Sequence, residues 1–194
     1  MKTNKIIGEK IKNIREAKEL TVEEVAGRSG LLVEEIERIE DNIDFPSLSP
    51  LIKIARVLGV AIGTFLDDQK ELGPVISRAG SAVESKRIGF TNNAQTDRKH
   101  MDYYALSQNK SGRHMEPFMI DVTPATAEDE FKVSSHEGEE FIYVVEGEIE
   151  IIYGKETYKL SKGDSIYYDS IVSHHVHGAD KQSAKILAVI YTPY

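Results

Sequence analysis

From Ile6 to about Leu66 the apolar residues recur every three or four positions: Ile7, Ile11 and Ile14, then Val22, Val25 and Ala26, Ile36 and Ile39, and Leu51, Ile54, Ala55 and Leu58. That is the period of helices with one face turned to a core. Thr21 followed by Glu24 reads as a capping box, and Gly30 and Gly59 stand where helices stop. Ser47 precedes a further helix that tolerates Pro50 in its first turn, where amides lack intrahelical partners. The pattern predicts five short helices packed as one small bundle.

After residue 66 the pattern changes. Asp67 to Glu71, Gly73-Pro74, Ser77 to Ser81 and Thr91 to Thr96 read as a connector, with Val75-Ile76 and Arg87 to Phe90 as candidate short strands. Strand-like segments then follow at Tyr103–Leu106, Phe118–Val122, Glu140–Val145, Glu148–Tyr153, Glu156–Leu160, Ser165–Tyr168, His174–His177 and Ile186–Tyr191. All nine tyrosines fall in this half, which suits strands. Glu146-Gly147 and Lys162-Gly163-Asp164 read as tight turns. Many short strands at regular intervals predict an antiparallel sandwich or jelly-roll barrel. The expected organisation is α + β in two domains: residues 1–68, a linker at 69–99, and residues 100–194.

Composition narrows the function classes. No apolar run approaches the ~18 residues of a membrane span, and the segment from Met1 to Lys5 leads into a charged amphipathic pattern without an apolar signal core. A cytoplasmic protein with no membrane partner is the expectation. The chain has no cysteine, which removes thiolate metal sites and a cysteine nucleophile. The net charge of −8 divides as −1 over residues 1–66 and −7 over the rest, so neither half has the basic surface of a general nucleic-acid binder. No nucleophile elbow and no phosphate-cradling glycine loop is present.

The most specific chemical signal is the spacing His136-(three)-Glu140-(six)-Gly147, answered by Gly163-(ten)-His174. Residues four apart on a strand share a face, so His136 and Glu140 can meet His174 arriving from a second strand. Two imidazoles and one carboxylate suit a divalent metal: iron(II) first, with zinc, nickel and manganese open. His175 and His177 read as surface or mouth residues.

Residues 8–66 resemble the phage-repressor, or xenobiotic-response-element, type of helix-turn-helix domain. The resemblance is carried by Gly8, Ile11 and Ile14-Arg15, Leu20-Thr21, Val25-Ala26, Gly30-Leu31, Ile36 to Glu40, Pro46 to Leu48, and Leu51 to Val60. It implies a reading helix near Val33–Asp41, with Thr21, Val33, Glu34, Glu37 and Arg38 facing DNA, and an internal Arg15–Glu40 pair. The acids on that helix oppose a line of phosphates, Val22 stands where the family has a phosphate-touching glutamine, and Leu32 at the N-cap cannot accept a backbone bond.

Residues 100–194 resemble a cupin, with Ser134 in place of the first histidine of its first motif. The resemblance implies a jelly-roll barrel whose metal is held by His136, Glu140 and His174, with Tyr104, Leu106, Ser134, Ile142 and Tyr168 lining a small-molecule pocket. The order of the two domains, and segments such as Asp102-Tyr103-Tyr104 and Val145 to Ile149, also resemble the hydroxypropylphosphonate epoxidases. Where that family places a lysine, a tyrosine and an asparagine on the phosphonate, this chain has Glu19, Leu106 and Val133. With those contacts missing, the expected function is a homodimeric or homotetrameric transcriptional regulator that binds DNA and senses a small molecule beside its metal, not an enzyme. The other reading is a non-haem iron oxidoreductase with the helical domain as active-site cover.

Overall fold

A computed structural model of the chain describes residues 4–44, 46–67, 73–78, 88–89, 101–110, 112–124, 133–179 and 182–192. The chain divides into two units, one formed by residues 1–75 with the segment 108–114 and the other by residues 76–107 and 115–193.

The first unit carries α1 (Asn4–Ala17), α2 (Val22–Ser29), α3 (Val33–Glu40), α4 (Leu48–Val57) and α5 (Gly63–Leu66). Ile11, Ile36, Ile39, Leu51, Ile54, Leu58 and Phe65 are fully enclosed, each contributing roughly 1.5–3 kcal/mol by leaving water. At the start of α2 the Thr21 hydroxyl accepts from the Glu24 amide at 3.2 Å while the Glu24 carboxylate accepts from the Thr21 amide at 2.9 Å. Leu32 and Ser47 occupy the N-caps of α3 and α4 without a side-chain cap bond. The helices α1 and α3 meet at Gly8, where a Cβ would come within 2.2 Å of the Ile39 carbonyl oxygen. Arg15 clamps Glu40 through two bonds of 2.7 Å and donates to the Leu20 carbonyl at 2.9 Å, fixing α1 against α3. The segment 108–114 belongs to this unit because Arg113 pairs with Asp67, both side chains being buried.

The second unit carries β1 (Ile88–Gly89), β2 (Met101–Ala105), β3 (Met115–Val122), β4 (Glu139–Glu146), β5 (Glu148–Tyr153), β6 (Glu156–Ser161), β7 (Ser165–Asp169), β8 (His174–Gly178) and β9 (Ala184–Tyr191). Val75-Ile76 forms no strand; Arg87, Phe90 and residues 91–96 lie outside the described residues. The strands form a six-stranded sheet in the order β1-β2-β3-β9-β4-β7 and a three-stranded sheet in the order β6-β5-β8. All the pairings are antiparallel.

Among the described residues the two sheets do not close on one another, so the expected jelly-roll barrel is not formed. Isolated bridges, Pro124 with Gly178 and Ser134 with His174, stand where ladders would be needed. Pro124 has no N–H to extend a ladder, and Ser134 and His174 exchange both of their backbone bonds without a neighbour following. Proline also stops β2: Leu106 donates to the Pro117 carbonyl at 2.9 Å, and Pro117 has no N–H to return the bond.

On β3 and β9 every second residue is buried, so Phe118, Ile120, Val122, Ile186, Ala188 and Ile190 share one inner face with Ile142 and Val144 of β4. Strand β8 departs from this alternation, because all five of its residues are buried. His175 and His177, expected at the surface or mouth, are therefore interior, their rings stacked 5.6 Å apart, with His177 Nε2 3.3 Å from the Glu150 carboxylate. No helix among the described residues is long and apolar enough to cross a membrane.

Candidate metal centre

His136 precedes β4 and is held by its backbone, its amide donating to the Ser170 carbonyl at 3.0 Å while the Ser170 amide donates to the Gly138 carbonyl at 2.9 Å. The chain then turns at Gly138, whose φ of +106° and whose approach to the Tyr191 carbonyl both require glycine, since a Cβ would lie 2.0 Å from that oxygen. That turn delivers Glu140 to the inner face of the large sheet. His174 opens β8 in the small sheet, pinned by its backbone exchange with Ser134. The three ligand atoms, one from each sheet and one from the segment leading into β4, thus lie within 4.8 Å of one another, and all three residues are buried.

The Nε2 atoms of His136 and His174 stand 2.7 and 3.4 Å from Oε1 of Glu140. On the far side of each ring, Nδ1 faces a backbone carbonyl, Glu137 at 3.0 Å and Val172 at 2.8 Å. A carbonyl can only accept, so each Nδ1 carries a hydrogen and donates, leaving Nε2 as the ligand atom. A lone pair facing a carboxylate oxygen at 2.7 Å needs a proton or a metal cation between them. The donor set therefore fits a divalent ion in chemistry as well as in spacing. Burial works against the charge on Glu140, and hydrogen bonds from His136 and His174 outweigh it, holding the carboxyl well below the usual carboxylate range.

Tyr168 of β7 pairs in register with Glu140, and its hydroxyl donates to Oε2 at 2.7 Å. Its ring lies 5.1 Å from that of His174 and 5.2 Å from that of Tyr153, whose hydroxyl donates to the Asp169 carbonyl at 3.2 Å. Of the residues read as pocket-lining, Ile142 and Tyr168 share the inner face with Glu140, and Ser134 meets His174 through its backbone. Tyr104 is half-buried on the opposite face, in register with Met119, and Leu106 lies beyond the end of β2.

Sequence reasoning missed Glu116. Almost wholly buried at 1% exposure, it sits on the inner face of β3 in register with Ile190, whose other partner is Glu140. The strand alternation that buries Phe118 pointed to it.

On the helical unit, Glu34 and Glu37 are exposed and Val33 is half-buried. Thr21 is committed to its capping box, and Arg38 is held by Asp44 through bonds of 2.6 and 2.9 Å.

A helix-turn-helix bundle followed by a cupin-type sheet domain, with two imidazoles and a carboxylate converging inside it, defines a helix-turn-helix cupin with an iron-type divalent-metal site. Helix-turn-helix and cupin family models match residues 11–65 and 120–190. The chain is 32% identical to (S)-2-hydroxypropylphosphonic acid epoxidase of Streptomyces wedmorensis, covering 74% of this chain and 73% of that protein. It belongs to that epoxidase's family. Among solved structures, Fe(II)-HppE with the alternative substrate (S)-1-HPP is 26% identical, with a TM-score of 0.51 over 95% of this chain and 96% of that one. An HTH_3 family transcriptional regulator from Vibrio cholerae shares the fold, with a TM-score of 0.70 at 20% identity over 98% of this chain and 97% of that one. The expectation of a protein without enzymatic activity is overturned, because kinship with an epoxidase and the assembled triad together favour an enzyme.

Proposed function

We propose that this chain is a non-haem iron(II) oxidoreductase whose metal ligands are His136, Glu140 and His174. The observation that carries the reading is the convergence of both Nε2 atoms on Glu140 Oε1 in a chain related to an epoxidase. Iron(II) held by such a set supplies oxidation by dioxygen at its open positions. The residues around it orient and protect. The Glu137 and Val172 carbonyls fix the two rings, Tyr168 holds Oε2 so that Oε1 stays turned to the histidines, and Ile142 and Ile190 on the inner face exclude water. The substrate is not the phosphonate of the named relative, since Glu19, Leu106 and Val133 replace the contacts that the family resemblance assigns to it.

Anaerobic reconstitution with iron(II), followed by metal analysis, tests the ligand set. Wild type should retain stoichiometric iron, and His136→Ala and His174→Ala should lose it. Unchanged iron in both variants would remove the triad from the reading. Turnover is tested by oxygen uptake of the loaded protein over a panel of small alcohols, amines and acids, and no uptake with any of them counts against an oxidase.

DNA binding by the helical unit is the second reading, supported by the helix-turn-helix match over residues 11–65. Its exposed acids on α3 and the Arg38–Asp44 pair weaken attraction to phosphate. Selection of bound sequences from random duplex DNA should yield a palindrome if this reading holds, and no enrichment at low salt would end it.

A further inference from the structure

We propose that the hydroxyls of Ser170 and Thr192 form a subsite, on either side of Gly138, that holds an uncharged hydroxyl group of the substrate beside the metal. The proposal deepens the reading of His136, Glu140 and His174 as metal ligands and rests on it.

Strand parity places both side chains. Along β7, Tyr167 and Asp169 are exposed while Tyr168 is buried on the inner face, and Ser170 continues the inward set at 0% exposure. The end of β9 behaves alike, with Ile190 inward, Tyr191 outward and Thr192 inward at 8% exposure. Gly138 lies between them. The Ser170 amide donates to the Gly138 carbonyl at 2.9 Å, and a Cβ on Gly138 would stand 3.6 Å from the Thr192 Cα. Gly138 itself puts no side chain between the two hydroxyls. The metal ligands adjoin this place, since the Ser170 carbonyl accepts from the His136 amide at 3.0 Å. One strand repeat, about 7 Å, separates Ser170 from Tyr168, whose hydroxyl is bonded to Glu140.

The Ser170 hydroxyl is the group that needs a ligand. Its Oγ is enclosed and finds no hydrogen-bond partner among the described residues. A hydroxyl so placed has given up its bonds to water, a cost that a polar group of a bound molecule would remove.

Charge decides which polar group that is. Among the described residues of the sheet unit no lysine or arginine is buried, so a carboxylate or phosphonate held between the two hydroxyls would lack a cation of the protein's own. An ammonium would be repelled by the divalent metal at close range. An alcohol hydroxyl adds no charge, and it donates and accepts as serine and threonine do. The subsite therefore selects a small polyol over an acid or an amine.

The test uses the full chain loaded anaerobically with iron(II), whose unpaired electrons broaden the proton resonances of a bound molecule. Line broadening is titrated with 1,3-propanediol and with 1-propanol, which lacks the second hydroxyl. The diol should bind wild type about fivefold more tightly, the worth of one net hydrogen bond. That preference should vanish in Ser170→Ala and weaken in Thr192→Val, which keeps the shape of the side chain, while Thr192→Ser retains it; iron content should be equal in all. Urea titration of the metal-free chains gives a second readout. Ser170→Ala should be at least as stable as wild type, because the hydroxyl it removes has no partner, whereas a hydroxyl that served the fold would cost stability when removed. Equal binding of the two alcohols, no binding of the diol, a preference that survives in Ser170→Ala, or a Ser170→Ala chain less stable than wild type overturns the proposal. Failure of the metal reading shows separately, as iron that wild type does not hold or that His136→Ala keeps.

Discussion

The Tyr168 hydroxyl donates to Oε2 of Glu140 at 2.7 Å, while Oε1 of the same carboxylate faces both histidines. The tyrosine thereby divides the carboxylate into a tethered oxygen and a ligand oxygen. Tyr168→Phe keeps the ring and removes the tether. Competition with a chelator should show iron(II) affinity falling by about 10- to 100-fold, with the fold intact. Unaltered affinity would make the bond incidental.

Metal should also displace protons, because Nε2 of His136 cannot hold both a hydrogen and an ion. Calorimetry of metal binding in buffers of different ionisation enthalpy should give apparent enthalpies that vary with the buffer in the sense of proton release. Buffer-independent enthalpies would mean that the ligand atoms are already bare.

The carboxyl of Glu140 titrates below its unfolded value of about 4.3. Its contribution to stability is therefore complete above that value and is lost as the pH falls through the folded value. Metal-free wild type should exceed Glu140→Gln in stability at neutral pH, and the gap should narrow below about pH 4. Urea titrations across that range read the difference directly.

Gly138 and Gly163 offer a paired test of the turn between the first two ligands. Both have positive φ, +106° and +96°, but a Cβ at Gly163 meets nothing within 4 Å, whereas at Gly138 it strikes the Tyr191 carbonyl. Gly163→Ala should cost only backbone strain, on the order of 1 kcal/mol. Gly138→Ala should cost more than that and lower metal affinity as well, because the turn sets the distance from His136 to Glu140. Equal effects of the two substitutions on metal binding would show that the Gly138 turn does not set that distance.

In the helical unit, Glu40→Ala leaves the Arg15 guanidinium buried without its carboxylate, and helix unfolding in urea should show a loss of about 3–5 kcal/mol. Replacing both residues by apolar side chains of similar size should recover much of that loss. A single substitution costing under about 1 kcal/mol would place the pair in the weak, surface class.

Local features were legible in the sequence where the period is local. The spacing of Ile7, Ile11 and Ile14 and of Leu51, Ile54 and Leu58 marks helices, and the Thr21–Glu24 cap needs no partner beyond its own turn. Each strand-like segment after Tyr103 became a strand, and the spacings picked out the residues that converge, although His136 precedes β4 and meets Glu140 through the Gly138 turn and not along one strand. What failed depends on residues distant in sequence. Closure into a barrel hinges on whether ladders form at Pro124 and Ser134, and strand periodicity carries no information on that. His175 and His177 alternate away from His174 as expected, yet both faces of β8 are covered. The Tyr168–Glu140 bond spans 28 residues and exists only because β4 and β7 pair in one register. The segment 108–114, between two strands, joins the helices through Arg113 and Asp67, a pairing no local pattern announces.

The separation of the two sheets gives the metal a mechanical office. His136 and Glu140 belong to the large sheet's side of the domain and His174 to the small sheet, and isolated backbone bridges tie the two. An ion held by all three would act as a rivet between layers that, among the described residues, share no continuous ladder. A rivet supplied from solution is governed by mass action, worth about 2.7 kcal/mol when free metal exceeds the dissociation constant a hundredfold. Scarcity of iron would then loosen the joint as well as idle the chemistry, and the survival of the chain against proteases would track the metal supply of its surroundings.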